Sequence, residues 1–199
     1  IIVPTTCGTG SEVTNISVMN RVSKGVKMGL ASDAMLADKA VLITNLLDSM
    51  PYQVFATSSI DAMVHSAESF LSPNGCSISR LFSSEALKLI LTCWDKVVKE
   101  GGEEAWKRYA AEFLEASNWA GLGFGYAGCA AVHACAYPLG SVYHIPHGQS
   151  NQLMFQDVMK MYKKLCPDGR INELEALIAE SLHVTPDTSL ETLYALMDK

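Results

Sequence analysis

Residues 51–71 read PYQVFATSSIDAMVHSAESFL, a run patterned as a single helix. Ile60, Met63, Val64, Ala67 and Leu71 recur at three- and four-residue intervals, which is the spacing of one helical face. Pro51 suits the first turn of such a helix, where the N–H it lacks would have no partner in any case. Asp61 and His65 stand four apart inside the run, so at 3.6 residues per turn both side chains leave the same face. A carboxylate and an imidazole placed one turn apart can share a hydrogen bond at a surface, or they can reach one cation.

Downstream of this run the pattern stays helical. Ser79–Lys99 forms a second periodic segment closed by Gly101-Gly102, and Glu103–Cys135 a third with a break near Gly121–Gly128. Pro138 and Gly140 are expected to stop the buried helix and turn the chain. A further helix then follows His147-Gly148, and another covers Asn172–Leu182 after the Pro167-Asp168-Gly169 turn. Upstream the pattern is of strands and turns: Ile1–Val3, Val13–Met19, Val26–Ala31 and Ala40–Thr44 are short β-rich runs separated by Gly8, Gly10 and Gly25. Both ends lie inside patterned segments, so the chain is expected to be an internal piece of a longer protein.

Composition narrows the function classes. With 199 residues and 49% apolar content the chain can bury a sizeable core. A net charge of −6 argues against a phosphate-binding surface and so against a nucleic-acid partner. Six scattered cysteines without a C-x-x-C pair suggest reduced thiols in a cytoplasmic protein rather than a disulfide frame. Residues 116–156 contain no Asp, Glu, Lys or Arg, a length that would cross a bilayer. They also contain Asn118, Pro138, His133, His144, His147 and Asn151, which fit a buried helix leading into an active-site loop better.

His133 and His147 flank the expected turn at Pro138–Gly140 and can meet there. Three imidazoles and one carboxylate, from Asp61, His65, His133 and His147, suit a borderline divalent ion such as Fe²⁺ or Zn²⁺ better than Mg²⁺ or Ca²⁺. Taken singly, an i,i+4 Asp/His pair is more often a surface hydrogen bond, and a His on a buried helix more often a hydrogen-bonded core residue, than a metal ligand. His144 lies near His147 in either a pocket or a structural role, and His183 sits in a polar turn to which no function is assigned. At the other end, Pro4–Glu12 follows the first strand as a small-residue loop whose Thr5, Thr6, Thr9 and Ser11 offer hydroxyl donors to a ligand, or simply make a tight turn.

Three separated motifs carry a resemblance. They are Pro4-Thr5-Thr6-x-Gly8-Thr9-Gly10-Ser11-Glu12-Val13-Thr14, Asp61-x-x-x-His65, and His133-x-x-x-Tyr137-Pro138-Leu139-Gly140 running on to Pro146-His147-Gly148. In this order and spacing the chain resembles the iron-containing (group III) alcohol dehydrogenases. Among them it is most similar to the members that act on 4-hydroxybutyrate with NAD.

The resemblance implies an α/β remnant, the end of a Rossmann-like dinucleotide-binding domain, over residues 1–50. An all-α metal-binding domain of the dehydroquinate synthase-like superfold would follow over 51–199. It implies Asp61, His65, His133 and His147 as ligands of Fe²⁺ or Zn²⁺, and NAD contacts at Thr5, Thr6, Ser11, Lys27 and Leu46. It also implies a small alcohol/aldehyde substrate and a homodimer or larger homo-oligomer. Two departures stand out: the family's Gly-Gly-Gly-Ser segment is absent from these residues, and a His found in many members four places after the first buried His is Tyr137 here. Tyr137 and His144 are therefore the candidates for catalytic proton handling. Rival readings are a glycerol or other primary-alcohol dehydrogenase of the same superfold, and a metal-binding module without turnover.

Overall fold

The computed structural model describes residues 1–199 except Gly25, with the side chains of Asn20 and Lys27 also outside the description. Seven α-helices are described: α1 (Tyr52–Leu71), α2 (Ser77–Glu100), α3 (Ala110–Ala127), α4 (Ala131–Val142), α5 (His147–Leu165), α6 (Ile171–Leu182) and α7 (Pro186–Met197). They are preceded by an antiparallel hairpin of β1 (Ile16–Arg21) and β2 (Val26–Ala31), in a register that pairs Ile16 with Ala31 and Arg21 with Val26.

Helix α1 is the axle of the bundle, packed against α2, α3 and α5. Every residue from Ser59 to Phe70 is buried, so this helix is covered on all sides rather than along one stripe. Its buried hydroxyls are satisfied locally: Ser66 Oγ donates to the Ala62 carbonyl at 2.8 Å and Ser69 Oγ to the His65 carbonyl at 2.6 Å. One end is sealed by Phe55, stacked on Trp106 with ring centroids 4.5 Å apart. Midway, Trp94 Nε1 donates to Ser59 Oγ at 3.0 Å and ties α2 to α1. Gly148 lets α5 approach closest, since a Cβ there would lie 1.8 Å from the Thr57 carbonyl oxygen. The first turn of α5, which bears His147, is thereby held directly against α1.

The strand expectations shift in three places. Ser11–Val13 forms a 3-10 turn, so the first strand runs over Ile16–Arg21 rather than Val13–Met19. Neither Ile1–Val3 nor Ala40–Thr44 is a strand: Ile2 and Ala40 make one isolated parallel bridge, and Thr44–Leu47 is a 3-10 turn.

The helix expectations also change around Pro138. The third segment breaks at Gly128, in the left-handed region (φ 75°), whose N–H caps α3 on the Phe124 carbonyl. His133 therefore lies in the first turn of a new helix, not near the end of a long one. That helix continues through Pro138 and Gly140 to Val142, because a proline removes one N–H from the ladder and the flanking bonds persist. The chain reverses beyond the helix end instead, at His144, whose φ of 57° is left-handed. Pro51 caps α1 rather than opening it. Among the described residues no helix is long and apolar enough to cross a membrane.

Candidate metal centre

Asp61 and His65 leave the same face of α1, as their spacing requires, and His133 from α4 and His147 from α5 meet them there. Asp61 Oδ1 lies 3.9 Å from His65 Nε2, 3.6 Å from His133 Nε2 and 3.5 Å from His147 Nε2. A tetrahedral ion bound at ~2.1 Å holds its ligand atoms ~3.4 Å apart. The spacing and the oxygen and nitrogen donors thus fit a divalent ion of the iron or zinc kind. Asp61, His65 and His133 are buried and His147 is half-buried. A buried carboxylate facing three imidazoles, with no lysine or arginine among its partners in the described residues, has the donor chemistry of a cation site.

Two residues to which the sequence alone assigns no role hold this set in place. Glu68, fully buried on α1, accepts a hydrogen bond from His133 Nδ1 at 2.6 Å and from the backbone N–H groups of Ala130 (3.0 Å) and Val132 (2.6 Å). It satisfies two free N–H groups at the start of α4 and turns His133 Nε2 toward Asp61. Asn151, one turn beyond His147 on α5, donates from Nδ2 to Asp61 Oδ1 at 2.8 Å. That amide nitrogen also lies 3.2 Å from His133 Nε2 and 3.5 Å from His147 Nε2. The signal for Glu68 was its place three residues after His65 and seven after Asp61, on their face of the helix. Phe124 of α3 stacks on His65 with centroids 4.1 Å apart, and His65 stacks on His133 at 4.6 Å.

Electrostatics follow from this packing. Burial alone would raise the Asp61 carboxyl, but the imidazoles of His65, His133 and His147 hold it down to about 2. Burial opposes charge on His133, yet its contacts with Asp61, Cys129 and Glu68 push it up to about 12. Glu68 is lowered despite burial, by His133 and the two N–H groups. Cys129, in the turn between α3 and α4, is lowered to about 7 because His65 and His133 outweigh its desolvation.

The cluster opens into a cleft of about 740 Å³ between the hairpin and α3, α4 and α5, floored by Asp61, His65, His133 and His147. Ser11 and Tyr137 line it; Thr5, Thr6, Leu46 and His144 do not. Thr5, Leu46 and His144 are exposed elsewhere, and the Lys27 side chain lies outside the described residues. His144 is occupied with the reversal after α4, which its left-handed backbone imposes. Burial raises the Tyr137 phenol, so it keeps its proton beside His147, with ring centroids 6.0 Å apart.

The glycines of the entry loop do a different job from cradling a ligand. A Cβ on Gly10 (φ 56°) would lie 2.5 Å from Gly121 Cα, so the paired glycines let the loop dock directly on α3. Beside them Glu12 is buried and accepts from Asn118 Nδ2 at 3.0 Å, anchoring the same loop. Ser11 and Thr9 reach the cleft as a result of this docking.

Comparison with known proteins agrees in sequence and in fold. Residues 55–199 match the Fe-containing alcohol dehydrogenase family, C-terminal, and residues 1–44 match iron-containing alcohol dehydrogenase. A 4-hydroxybutyrate dehydrogenase of Clostridium kluyveri is 42% identical over the whole chain, which covers 53% of that relative. An iron-containing alcohol dehydrogenase from Thermotoga maritima superposes with a TM-score of 0.79 at 28% identity, over 98% of this chain and 50% of that one. A sulfoacetaldehyde reductase from Bifidobacterium kashiwanohense, solved in complex with NAD⁺, gives 0.79 at 27% identity, over 98% of this chain and 51% of that one. The chain spans about half the length of the curated relatives it matches. The expected all-α part of the dehydroquinate synthase-like superfold is the one observed, preceded by a small two-stranded sheet.

Proposed function

We propose, from the premise that the chain belongs to the iron-containing alcohol dehydrogenase family, that it forms the metal half of an NAD-dependent oxidoreductase acting on a small alcohol/aldehyde pair. The favoured pair is 4-hydroxybutyrate and succinate semialdehyde. The observation that carries the reading is the convergence of Asp61, His65, His133 and His147 at the floor of a large cleft, within a chain 42% identical to a 4-hydroxybutyrate dehydrogenase. In this reading residues 1–50 close a dinucleotide-binding domain and 51–199 form the metal domain.

Asp61, His65, His133 and His147 would hold Fe²⁺ or Zn²⁺. Bound there, the ion supplies Lewis acidity toward a carbonyl or hydroxyl oxygen, and a nicotinamide exchanges the hydride. The chain's own residues prepare the place. Glu68 fixes the His133 tautomer by accepting from Nδ1, leaving Nε2 for the ligand cluster. Phe124 clamps the His65 ring and, with Ile16 and Val18, gives the cleft an apolar wall that limits water. Tyr137, protonated and half-buried beside His147, is placed to hold a hydrogen bond to a substrate oxygen. None of the described residues lining the cleft is Lys or Arg, so the hydroxyls of Thr9, Ser11, Thr14 and Ser17 are its polar contacts for the remainder of a substrate or cofactor.

Turnover of 4-hydroxybutyrate with NAD, measured on the whole polypeptide that contains these residues, tests the proposal. Reduction of NAD with 4-hydroxybutyrate, faster than with glycerol or 1-propanol, is expected. Turnover of those alcohols without 4-hydroxybutyrate would overturn the substrate, and no turnover of any alcohol would leave a metal-binding module.

A further inference from the structure

The turn that starts α4 brings a thiol to the metal centre. Gly128, left-handed at the end of α3, aims the next residue back at the bundle, and Glu68 clamps the backbone N–H groups of Ala130 and Val132 just after it. Cys129 is thereby fixed on the cleft wall beside His65 and His133. Its Sγ and one nitrogen of each imidazole lie within 4.8 Å of one another, as do the ligand atoms of Asp61, His133 and His147. Two three-ligand sets therefore share His133, and they differ in chemical softness. The first presents a carboxylate and two imidazoles, and the second a thiol and two imidazoles.

We propose that Cys129 makes this centre bifunctional in metal choice: with His65 and His133 it forms a second, overlapping ligand set that takes a thiophilic divalent ion such as Zn²⁺ or Cd²⁺. The inference rests on reading the cluster as a metal centre and adds a ligand to it. Binding replaces the thiol proton, which passes to solvent, with a metal–sulfur bond. Thiolate favours such ions over Mn²⁺ or Mg²⁺, which prefer oxygen ligands. Among the described residues no other cysteine belongs to a group that could hold an ion: Cys7 and Cys93 are buried, and Cys76, Cys135 and Cys166 lie apart from any such cluster.

The test is titration of the metal-stripped chain with Cd²⁺, following the near-ultraviolet charge-transfer absorption of a cadmium–thiolate bond alongside direct counting of bound ion. Wild type is expected to develop the band up to one equivalent. Cys129→Ser, close to isosteric, should bind Cd²⁺ without the band and more weakly. The expected loss is at least the roughly tenfold that removing even a partner behind a ligand costs a metal site. Its Mn²⁺ affinity should be unchanged, and Cys135→Ser should keep the band. One equivalent of Cd²⁺ bound by wild type without the band, or a band that survives in Cys129→Ser, would overturn the thiolate set while leaving the metal centre standing. Failure of wild type to bind any divalent ion would overturn both.

Discussion

Helix α1 and the β1–β2 hairpin treat their side chains in opposite ways. From Ser59 to Phe70 the helix buries every residue, polar ones included, and each buried carboxylate has named partners. The hairpin exposes Val18, Val26 and Leu30, and Val41, Leu42 and Ile43 of the following segment are exposed too. A two-stranded hairpin without a packed face is marginal by itself in water. The rigid side of the cleft is therefore the helical one, where the proposed metal ligands stand, and the hairpin side draws its order from contact with α4 and from the loop docked through Gly10 on Gly121. Precision at the site comes from buried polar networks on helices, as preorganised chemistry requires.

The largest way to break this contrast is to cut the network on the helical side. Glu68→Ala leaves the buried His133 and two backbone N–H groups without their acceptor, and removing one partner of a buried pair costs about 3–5 kcal/mol. Chemical denaturation should show a loss of that size, with Glu68→Gln, which keeps an acceptor, well above Glu68→Ala. Equal stability of Glu68→Ala and wild type would mean that the network does not organise α4.

The pH dependence of the metal-stripped chain sharpens the same point. Asp61 at about 2 and Glu68, also lowered, contribute stability that is present above the ordinary carboxylate range of about 4 and lost as pH falls through their folded values. His133, pushed up to about 12, contributes fully below its ordinary value of about 6.5 and loses that contribution progressively as pH rises toward 12. Cys129, lowered to about 7, works in the opposite sense between pH 7 and 9, so the His133 contribution is read in Cys129→Ser, whose thermal midpoint should be higher at pH 6 than at pH 9. A bound divalent ion, which needs neutral imidazoles, should flatten or reverse that slope. A midpoint independent of pH in metal-free Cys129→Ser would count against the buried cluster.

Hydrogen exchange compares the two regions directly. Amides of α1 between Ser59 and Phe70 should exchange near the rate set by global unfolding, and those of β1 and β2 faster by local opening. Comparable protection in both would remove the distinction. The smallest effect is expected at His144, whose left-handed backbone turns the chain after α4. His144→Gly relieves a strain of about 1 kcal/mol that the greater freedom of unfolded glycine offsets in part. Stability within about 1 kcal/mol of wild type and unchanged metal content are expected, whereas loss of metal would give His144 a role at the site.

Much of this is legible in the sequence itself. The i,i+4 spacing of Asp61 and His65 placed them on one face because helical geometry is local, and the break near Gly128 was readable from its glycines. Glu68 was not, although it lies on the same face, because a lone glutamate in a helix is normally a solvated one and burial depends on α4 arriving from 62 residues away. Asn151 and Cys129 were hidden for the same reason: their partners sit on other helices. Pro138 misled because a proline in sequence ends many helices, while packing of α4 against α5 and β2 carries this one through. The strand start slipped by three residues where the docked loop took up Ser11–Val13 as a 3-10 turn.

Asp61, His65, His133 and His147 are proposed to hold one divalent ion. Metal analysis of wild type and His147→Ala, both purified anaerobically, tests it most directly. Close to one equivalent of iron or zinc is expected in wild type and a marked loss in the variant; equal metal content in the two proteins would remove His147 from the ligand set.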